Sequence, residues 1–327
     1  MAVNVERGAR RARRRAVERP ASGPATENGT ARGARDRTMR TAIARANDYV
    51  SLTKPRIISL LLVTTVATMF VADPSGPALP VILWTMLGGY LAAGGAGAIN
   101  HYLERESDAR MERTADRPLA SGRISPGRGL VFGTALGVTA FVQLGLTVNW
   151  LAAALAIGGL LGYVFVYTLW LKPRTPQNIV LGGAAGAIPP LVGWAAATGE
   201  LSAQALWPFA IVFFWTPPHF WALSLLISDD YERTGVPMLP VVRGEVATRR
   251  HILGYAAVLV AISVGPVITG LFGTLYLVSA LALGAGFTAL AVVLLARPSR
   301  VAARRLYLSS LAYLALLFVA MALDRAL

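Results

Sequence analysis

The 327-residue sequence predicts an all-α, polytopic membrane protein of about nine transmembrane helices. Hydrophobic residues make up 55% of it and charged residues 15%, and the mean hydropathy is +0.54. A soluble chain carries about a quarter charged residues. Segments that cross a bilayer must satisfy their own backbone hydrogen bonds, as helices do, and each crossing takes roughly 20 apolar residues. A transmembrane barrel would alternate polar and apolar residues in short segments. The apolar stretches here are long and continuous.

Residues 1–50 are polar and arginine-rich with no apolar period, and read as a disordered basic tail ahead of a membrane domain at 51–327. Glu6, Glu18, Glu27 and Asp36, with few serines, argue against a mitochondrial transit segment. No signal-peptide core precedes residue 57, so the first apolar stretch is expected to be a retained helix. Spans are predicted at 57–72, 80–99, 127–147, 150–170, 179–197, 206–227, 251–270, 276–296 and 305–323. The third and fourth are joined by almost nothing, as are the seventh and eighth, so both pairs read as tight hairpins.

Nine crossings put the N-terminus and the loops after the second, fourth, sixth and eighth spans on one side. That side holds 30 of the 31 lysines and arginines, leaving only Arg325 opposite. The positive-inside rule makes it the cytoplasm. The net charge of +14 therefore reflects membrane orientation, and no nucleic-acid partner is expected. A bacterial plasma membrane is the favoured location over an inner mitochondrial one. With no cysteine, the chain has no disulfide, thiolate metal site or cysteine nucleophile. Glycines crowd two spans: Gly88, Gly89, Gly94, Gly95 and Gly97 in the second, Gly182, Gly183 and Gly186 in the fifth. The Gly182–Gly186 spacing is a close-packing signature; a cavity for a bulky ligand is the other reading.

Two inside loops are unlike ordinary connectors. In the first, Asn100, Glu104 and Asp108 recur every fourth residue as the second span ends. Each step on a helix advances about 40° and 6 Å, so three oxygen ligands share one face. Such ligands suit Mg²⁺, which prefers a few carboxylates plus substrate phosphates. Arg110, Arg113 and Arg117 follow, able to fork onto phosphate oxygens. The alternative is a solvated helix extension whose acids and arginines pair with each other. The second loop, after the sixth span, carries Asp229, Asp230, Glu232, Arg233 and Arg243 on the same side. Two such loops would enclose a metal–diphosphate between them. Lys54, Arg56, Lys172 and Arg174 flank the first and fourth spans as further phosphate ligands or as membrane anchors.

Within the sixth span, WTPPHFWALSL sets His219 in an apolar run after Pro217 and Pro218. Ionisable residues inside a membrane usually line a cavity or pathway; a bond to a neighbouring helix is the alternative. His101 and His251, at helix ends, read as interfacial. Trp215, Phe220 and Trp221 are candidates for an apolar chamber wall.

The acidic run with ARMERTADRPL resembles the aspartate-rich signature of the UbiA-type membrane prenyltransferases, in particular the protohaem IX farnesyltransferase (haem O synthase) subset. LTKPRI, YTLWLKPRTPQNIVLGGAAGAIPPLVGW, WTPPHFWALSL and DYERTGVPMLPVV match as well, covering most of residues 50–250. The pattern departs at Glu104, where the family has Asp; residues 1–40 match nothing of the family. The resemblance implies helices around a central cavity open to the cytoplasm and to lipid. It implies farnesyl transfer from farnesyl diphosphate to haem b with addition of water, giving haem O and pyrophosphate. Haem b is then a substrate and Mg²⁺ the cofactor, held by Asn100, Glu104, Asp108 and Asp230, with Asp229 beside them. Lys54, Arg56, Arg110, Arg113, Arg117, Lys172, Arg174 and Arg243 would meet the diphosphate, and Asn178, Trp215, His219, Phe220, Trp221 and Tyr231 the haem chamber. A haem A synthase or terminal oxidase assembly partner is the implied recipient of product. A prenyltransferase for a quinone or chlorophyll precursor is the nearest rival. A transporter is the rival of another class, but no half-to-half repeat appears and the acids lie at the interface.

Overall fold

The computed structural model describes the backbone of residues 27–327 and the side chains from Met39 onward. Among these described residues helix is the only regular structure. The chain divides into two units after Asn47. The first helix, α1, runs Glu27–Leu52, so the tail expected to be disordered is helical from Glu27; residues 1–26 lie outside the described residues. Alanine and arginine, both good helix formers, account for a helix that no apolar period announced.

The second unit, Asp48–Leu327, contains nine helical stretches long and apolar enough to cross a membrane. They are α2 (Pro55–Ala72), α3 (Leu79–Asp108), α4 (Pro126–Thr147), α5 (Trp150–Leu161, continued as a π-helix over Gly162–Leu171), the pair α6 (Asn178–Gly186) and α7 (Ile188–Thr198), and α8 (Leu206–Leu226). After the short α9 (Ser228–Arg233) come α10 (Leu239–Ile268), α11 (Thr274–Ala296) and α12 (Arg300–Ala326). Each predicted span has its helix.

Three departures from the predicted spans matter. First, α3 runs on to Asp108; its 30 residues reach about 45 Å, beyond a hydrocarbon core of roughly 30 Å. The last turns, with the acidic residues, therefore project from the membrane. Second, the seventh crossing begins at Leu239 rather than 251, bent at Gly244, where φ is 77° and ψ 166°. Third, the fifth crossing breaks at Ala187 because Pro189 and Pro190 donate no backbone hydrogen bond. The chain restarts as α7 with both prolines in its first turn, where no donor is needed.

Successive crossings pack side by side, and α12 closes onto α2, so the helices form a ring; α2 also packs on α7, and α8 on α12. On the face opposite the loops, the Asp324 carboxylate accepts from the backbone N–H groups of Gly273 (2.5 Å) and Tyr276 (3.0 Å), capping α11 from a neighbouring helix. Arg325, the basic residue that the sequence sets apart from the rest, donates Nε to the Val71 carbonyl at the end of α2 (3.3 Å).

Glycine marks the closest contacts. A methyl group at Gly193 of α7 would fall on the Thr65 carbonyl oxygen of α2, and one at Gly182 on the Tyr167 ring, whereas at Gly186 it would meet nothing within 4 Å. The packing positions are thus Gly182 and Gly193, and the Gly182–Gly186 pair is not itself a contact. Gly193→Ala is expected to lower stability by about 1–3 kcal/mol, the usual range for overpacking, while Gly186→Ala leaves it unchanged or raises it slightly. Thermal unfolding in detergent checks this; a Gly193→Ala protein melting with wild type would contradict the tight α2–α7 contact.

Candidate active site

The site begins at the turn between α1 and α2. Lys54 sits in the left-handed region (φ 58°, ψ 54°), alone among the described non-glycine residues in having a positive φ. That conformation costs about 1–2 kcal/mol for an L-residue. Pro55 disfavours helix at the residue before it, so α1 cannot run straight into α2. The turn presses on α3: a methyl group at Gly97 would lie 3.0 Å from the Leu52 carbonyl oxygen, and one at Gly94 3.1 Å from Thr53 Cβ. This close approach brings the Lys54 ammonium to Asn100 Oδ1, 2.6 Å away. The glycines of α3 pack tightly, and the packing serves the site.

On its other side Asn100 donates Nδ2 to Thr168 Oγ1 (3.2 Å). Thr168 lies in the π-helical end of α5, and its hydroxyl donates to the Tyr163 carbonyl five residues back (2.9 Å). The wide turn closes with Lys172 N–H on the Tyr167 carbonyl (2.9 Å) and stacks the Tyr163 and Tyr167 rings with centroids 5.4 Å apart. It also aims the Lys172 ammonium at the Glu104 carboxylate, with which it forms an ion pair. π-turns cluster at functional sites for this reason: they re-aim side chains that a regular helix would send elsewhere.

Asp108 closes the row. It is buried, and Arg117 Nη1 reaches its carboxylate at 2.7 Å while the Thr114 hydroxyl donates to its carbonyl at 2.9 Å. The lysines respond to this crowding in opposite ways. Burial first, then the Arg117 guanidinium, push Lys54 down to about 7 against the pull of Glu104. Burial would lower Lys172 too, but the Glu104 carboxylate outweighs it and holds Lys172 above the usual lysine value.

The second acidic loop joins the first through a small core. Met111 of the first loop packs with Ile179, Tyr231 and Met238, and Tyr167 and Phe220 border the same cluster. Beside Tyr231, Asp230 is buried and accepts from Arg233 Nη2 (2.6 Å). Asp229 is exposed, its carboxylate accepting from the Ser228 hydroxyl (3.3 Å) and its carbonyl from Arg233 Nε (3.3 Å), so of the two Asp230 is the buried one. Asn178, fully buried at the start of α6, donates Nδ2 to the Thr175 carbonyl (2.6 Å) and leaves Oδ1 without a hydrogen bond.

Asn100, Glu104 and Asp108 follow one another along α3, and each expected Mg²⁺ ligand already holds a basic side chain: Asn100 on Lys54, Glu104 on Lys172, Asp108 on Arg117, Asp230 on Arg233. Among the described residues no three His, Cys, Asp or Glu side chains converge as a metal site. The donor set itself is all oxygen, which fits Mg²⁺ chemistry.

Other expected phosphate ligands are more scattered. Arg56, Arg110, Arg113 and Arg243 are exposed. Arg174 donates to the carbonyls of Leu169 (2.8 Å) and Trp170 (3.1 Å), which ties its guanidinium to the end of α5 rather than to the site. In α8, His219 is buried between the Trp215 ring at 4.3 Å and the Tyr307 ring at 4.8 Å. Ser310 of α12 accepts Trp215 Nε1 at its carbonyl (2.8 Å) and meets His219 Nδ1 at its hydroxyl (2.6 Å). That hydroxyl donates to the Tyr307 carbonyl (2.6 Å), so Nδ1 is the donor in the histidine contact, and Nε2 is the ring atom left to meet a ligand. Trp221 points elsewhere, packing edge-on against Tyr255 (5.2 Å) and His251 (5.8 Å) of α10. It belongs to a helix–helix core.

Residues 61–320 match the UbiA prenyltransferase family. The chain belongs to that family. A relative called protoheme IX farnesyltransferase in Roseiflexus sp. (strain RS-1) is 53% identical over 85% of this chain, which spans only 52% of that relative's length. The chain thus spans about half the length of several curated relatives it matches. A second protein of the same name, from Symbiobacterium thermophilum, is 52% identical over 89% of this chain and 97% of its own length. Among solved structures, a UbiA homolog from Archaeoglobus fulgidus bound to DMAPP and Mg²⁺ aligns with a TM-score of 0.64 and 15% identity, over 84% of this chain and 99% of that one. The fold is the UbiA fold, and the protein is a multi-pass membrane protein.

Within this UbiA chain, four residues near the acidic row escaped the sequence reading. His101 is not interfacial: it is 3% exposed, neither ring nitrogen has a hydrogen-bond partner, and it lies within electrostatic reach of Lys54 and Arg117. Its spacing to Glu104 and Asp108, three and seven residues on, puts it on their helix face and was the available signal. Tyr163, Tyr167 and Thr168 depend on the π-turn, which no periodicity in the sequence announces.

Proposed function

We propose that this chain transfers the farnesyl group of farnesyl diphosphate to a vinyl group of protohaem IX, with addition of water, to give haem O and pyrophosphate. The observation that carries the reading is the 52% identity over nearly the whole length of a relative bearing the protoheme IX farnesyltransferase name. The geometry is compatible with it. The allylic C–O bond breaks and its electron pair leaves on pyrophosphate, whose growing charge needs fixed cations. Lys54, Lys172 and Arg117 stand together for that role, each now held by an acid or amide. Asn100, Glu104, Asp108 and Asp230 would hold Mg²⁺, which when bound neutralises the diphosphate and strengthens it as a leaving group.

The vinyl carbon then bonds to the farnesyl terminus, and water adds to the resulting cation and loses a proton. Tyr167, Phe220 and Tyr231, under the joined loops, would line the path of the allylic cation and keep water from it until the carbon–carbon bond forms. His219 would meet the haem through Nε2. The setting is a bacterial plasma membrane with the acidic loops cytoplasmic, and a haem A synthase or terminal oxidase assembly partner would receive the product.

The protein in lipid nanodiscs, given haem b and farnesyl diphosphate, is expected to release pyrophosphate and form haem O. Chelating Mg²⁺ with EDTA is expected to stop both, and restoring Mg²⁺ to recover them. Prenylation of a quinone or chlorophyll precursor with haem b left untouched would replace this reading with another UbiA-type activity.

A further inference from the structure

A cleft of about 240 Å³ opens where the ends of α8 and α11 meet the starts of α10 and α12, and no residue of the candidate active site lines it. It lies on the basic, inside face. Arg249 in its wall is 9% exposed, pairs Nη1 with Glu245 one turn earlier (2.9 Å), and has no hydrogen-bond partner for Nε. A buried guanidinium donor left unmatched is costly, so this position calls for an acceptor. Across the cleft Arg300 donates Nη2 to the Leu226 carbonyl at the end of α8 (2.9 Å). The cleft also takes in Ser299, the N-cap of the 27-residue α12, whose first N–H groups and dipole favour an anion.

A second hollow of about 260 Å³ shares Ser299 and adds Arg297 and Arg305 above apolar Leu290, Val293 and Val301. Val293 and Val301 are 48% and 60% exposed, on the outside of the ring where lipid chains run. Arginines above an apolar, lipid-facing wall suit an amphiphile, since a free phosphate ion has no use for the wall. Of the described arginines on this face, Arg249 alone is buried; Arg250 and Arg304 are exposed, as Arg297, Arg300 and Arg305 are, but line neither hollow.

We propose that the paired hollows around Ser299 bind an anionic glycerophospholipid, its phosphate between Arg249 and Arg300 and its acyl chains along α11 and α12. This assignment is independent of the prenyl-transfer reading.

The test is native mass spectrometry of the full chain, delipidated in a neutral detergent and titrated with phosphatidylglycerol or phosphatidylcholine. Wild type is expected to retain phosphatidylglycerol at roughly tenfold lower concentration. Arg249→Gln and Arg300→Gln are expected to erase that preference, while Arg250→Gln, with the same loss of charge, keeps it. Equal retention of the two lipids by wild type, or an equal loss in Arg250→Gln, overturns the site. Thermal protection of wild type supplies a readout that needs no variant to fold. Phosphatidylglycerol is expected to raise the midpoint above phosphatidylcholine. Equal protection by glycerol 3-phosphate would mean a soluble-phosphate site and overturn the lipid assignment.

Discussion

Asp108→Asn is expected to lower haem O formation roughly 100- to 1000-fold, the range seen when one preorganised electrostatic contact is removed from a reacting centre. The substitution keeps size and shape but removes the charge that holds Arg117 at 2.7 Å and that would bind Mg²⁺. Two deficits follow together: a weaker metal ligand, and a guanidinium no longer held where the leaving group departs. The fold should survive. Losing one partner of a fully buried pair costs about 3–5 kcal/mol, but the Arg117 side chain keeps 26% of its exposure, so solvent screens it and the cost falls to about 1–2 kcal/mol. Turnover measured by chromatography across a Mg²⁺ titration, beside a melting curve, separates the two effects. Turnover near wild type at saturating Mg²⁺ would remove Asp108 from the metal site.

The fold was largely legible because bilayer crossing leaves a coarse signal. A run of some twenty apolar residues between charged loops survives any local irregularity, and the distribution of arginines fixes parity. What the signal lacks is resolution inside each run. Prolines in two spans look alike in sequence, yet Pro189 and Pro190 split the fifth crossing while Pro217 and Pro218 remain inside α8. Whether the neighbouring helices can accommodate the unpaired carbonyls decides between these outcomes, and a single chain read residue by residue does not contain that information. The helical stretch from Glu27 was missed for the opposite reason: it has propensity without an apolar face.

For the site, the spacing of Asn100, Glu104 and Asp108 was enough to set them on one face, and parity brought the Asp230 loop to the same side. Their partners were not legible. Lys172 reaches Glu104 only because α5 widens to a π-turn, and Lys54 reaches Asn100 only because two glycines let a strained turn lie against α3. The direction of the expected phosphate ligands was not legible either. Arg174 has the right charge on the right face, but its guanidinium caps a helix end. Charge sign can be read from sequence; the direction of a long side chain cannot.

That strained turn yields the second large effect, with stability and activity expected to move apart. Lys54→Ala and Lys54→Gly each remove the ammonium from Asn100 and are both expected to lower turnover by roughly 100-fold. Their stabilities should differ. Alanine must still hold φ near 58°, whereas glycine adopts it freely, so Lys54→Gly is expected to be about 1 kcal/mol more stable than Lys54→Ala. Melting curves and product assays on the same two proteins check both halves. Coincident melting would mean that the turn stores no strain, and wild-type turnover in Lys54→Ala would remove Lys54 from the reaction. If both halves hold, a side chain at position 54 is kept against its own backbone preference. The gain must then lie in the ammonium, because glycine would satisfy the turn, Pro55 and the close approach to Gly97 equally well while leaving Asn100 without its cation.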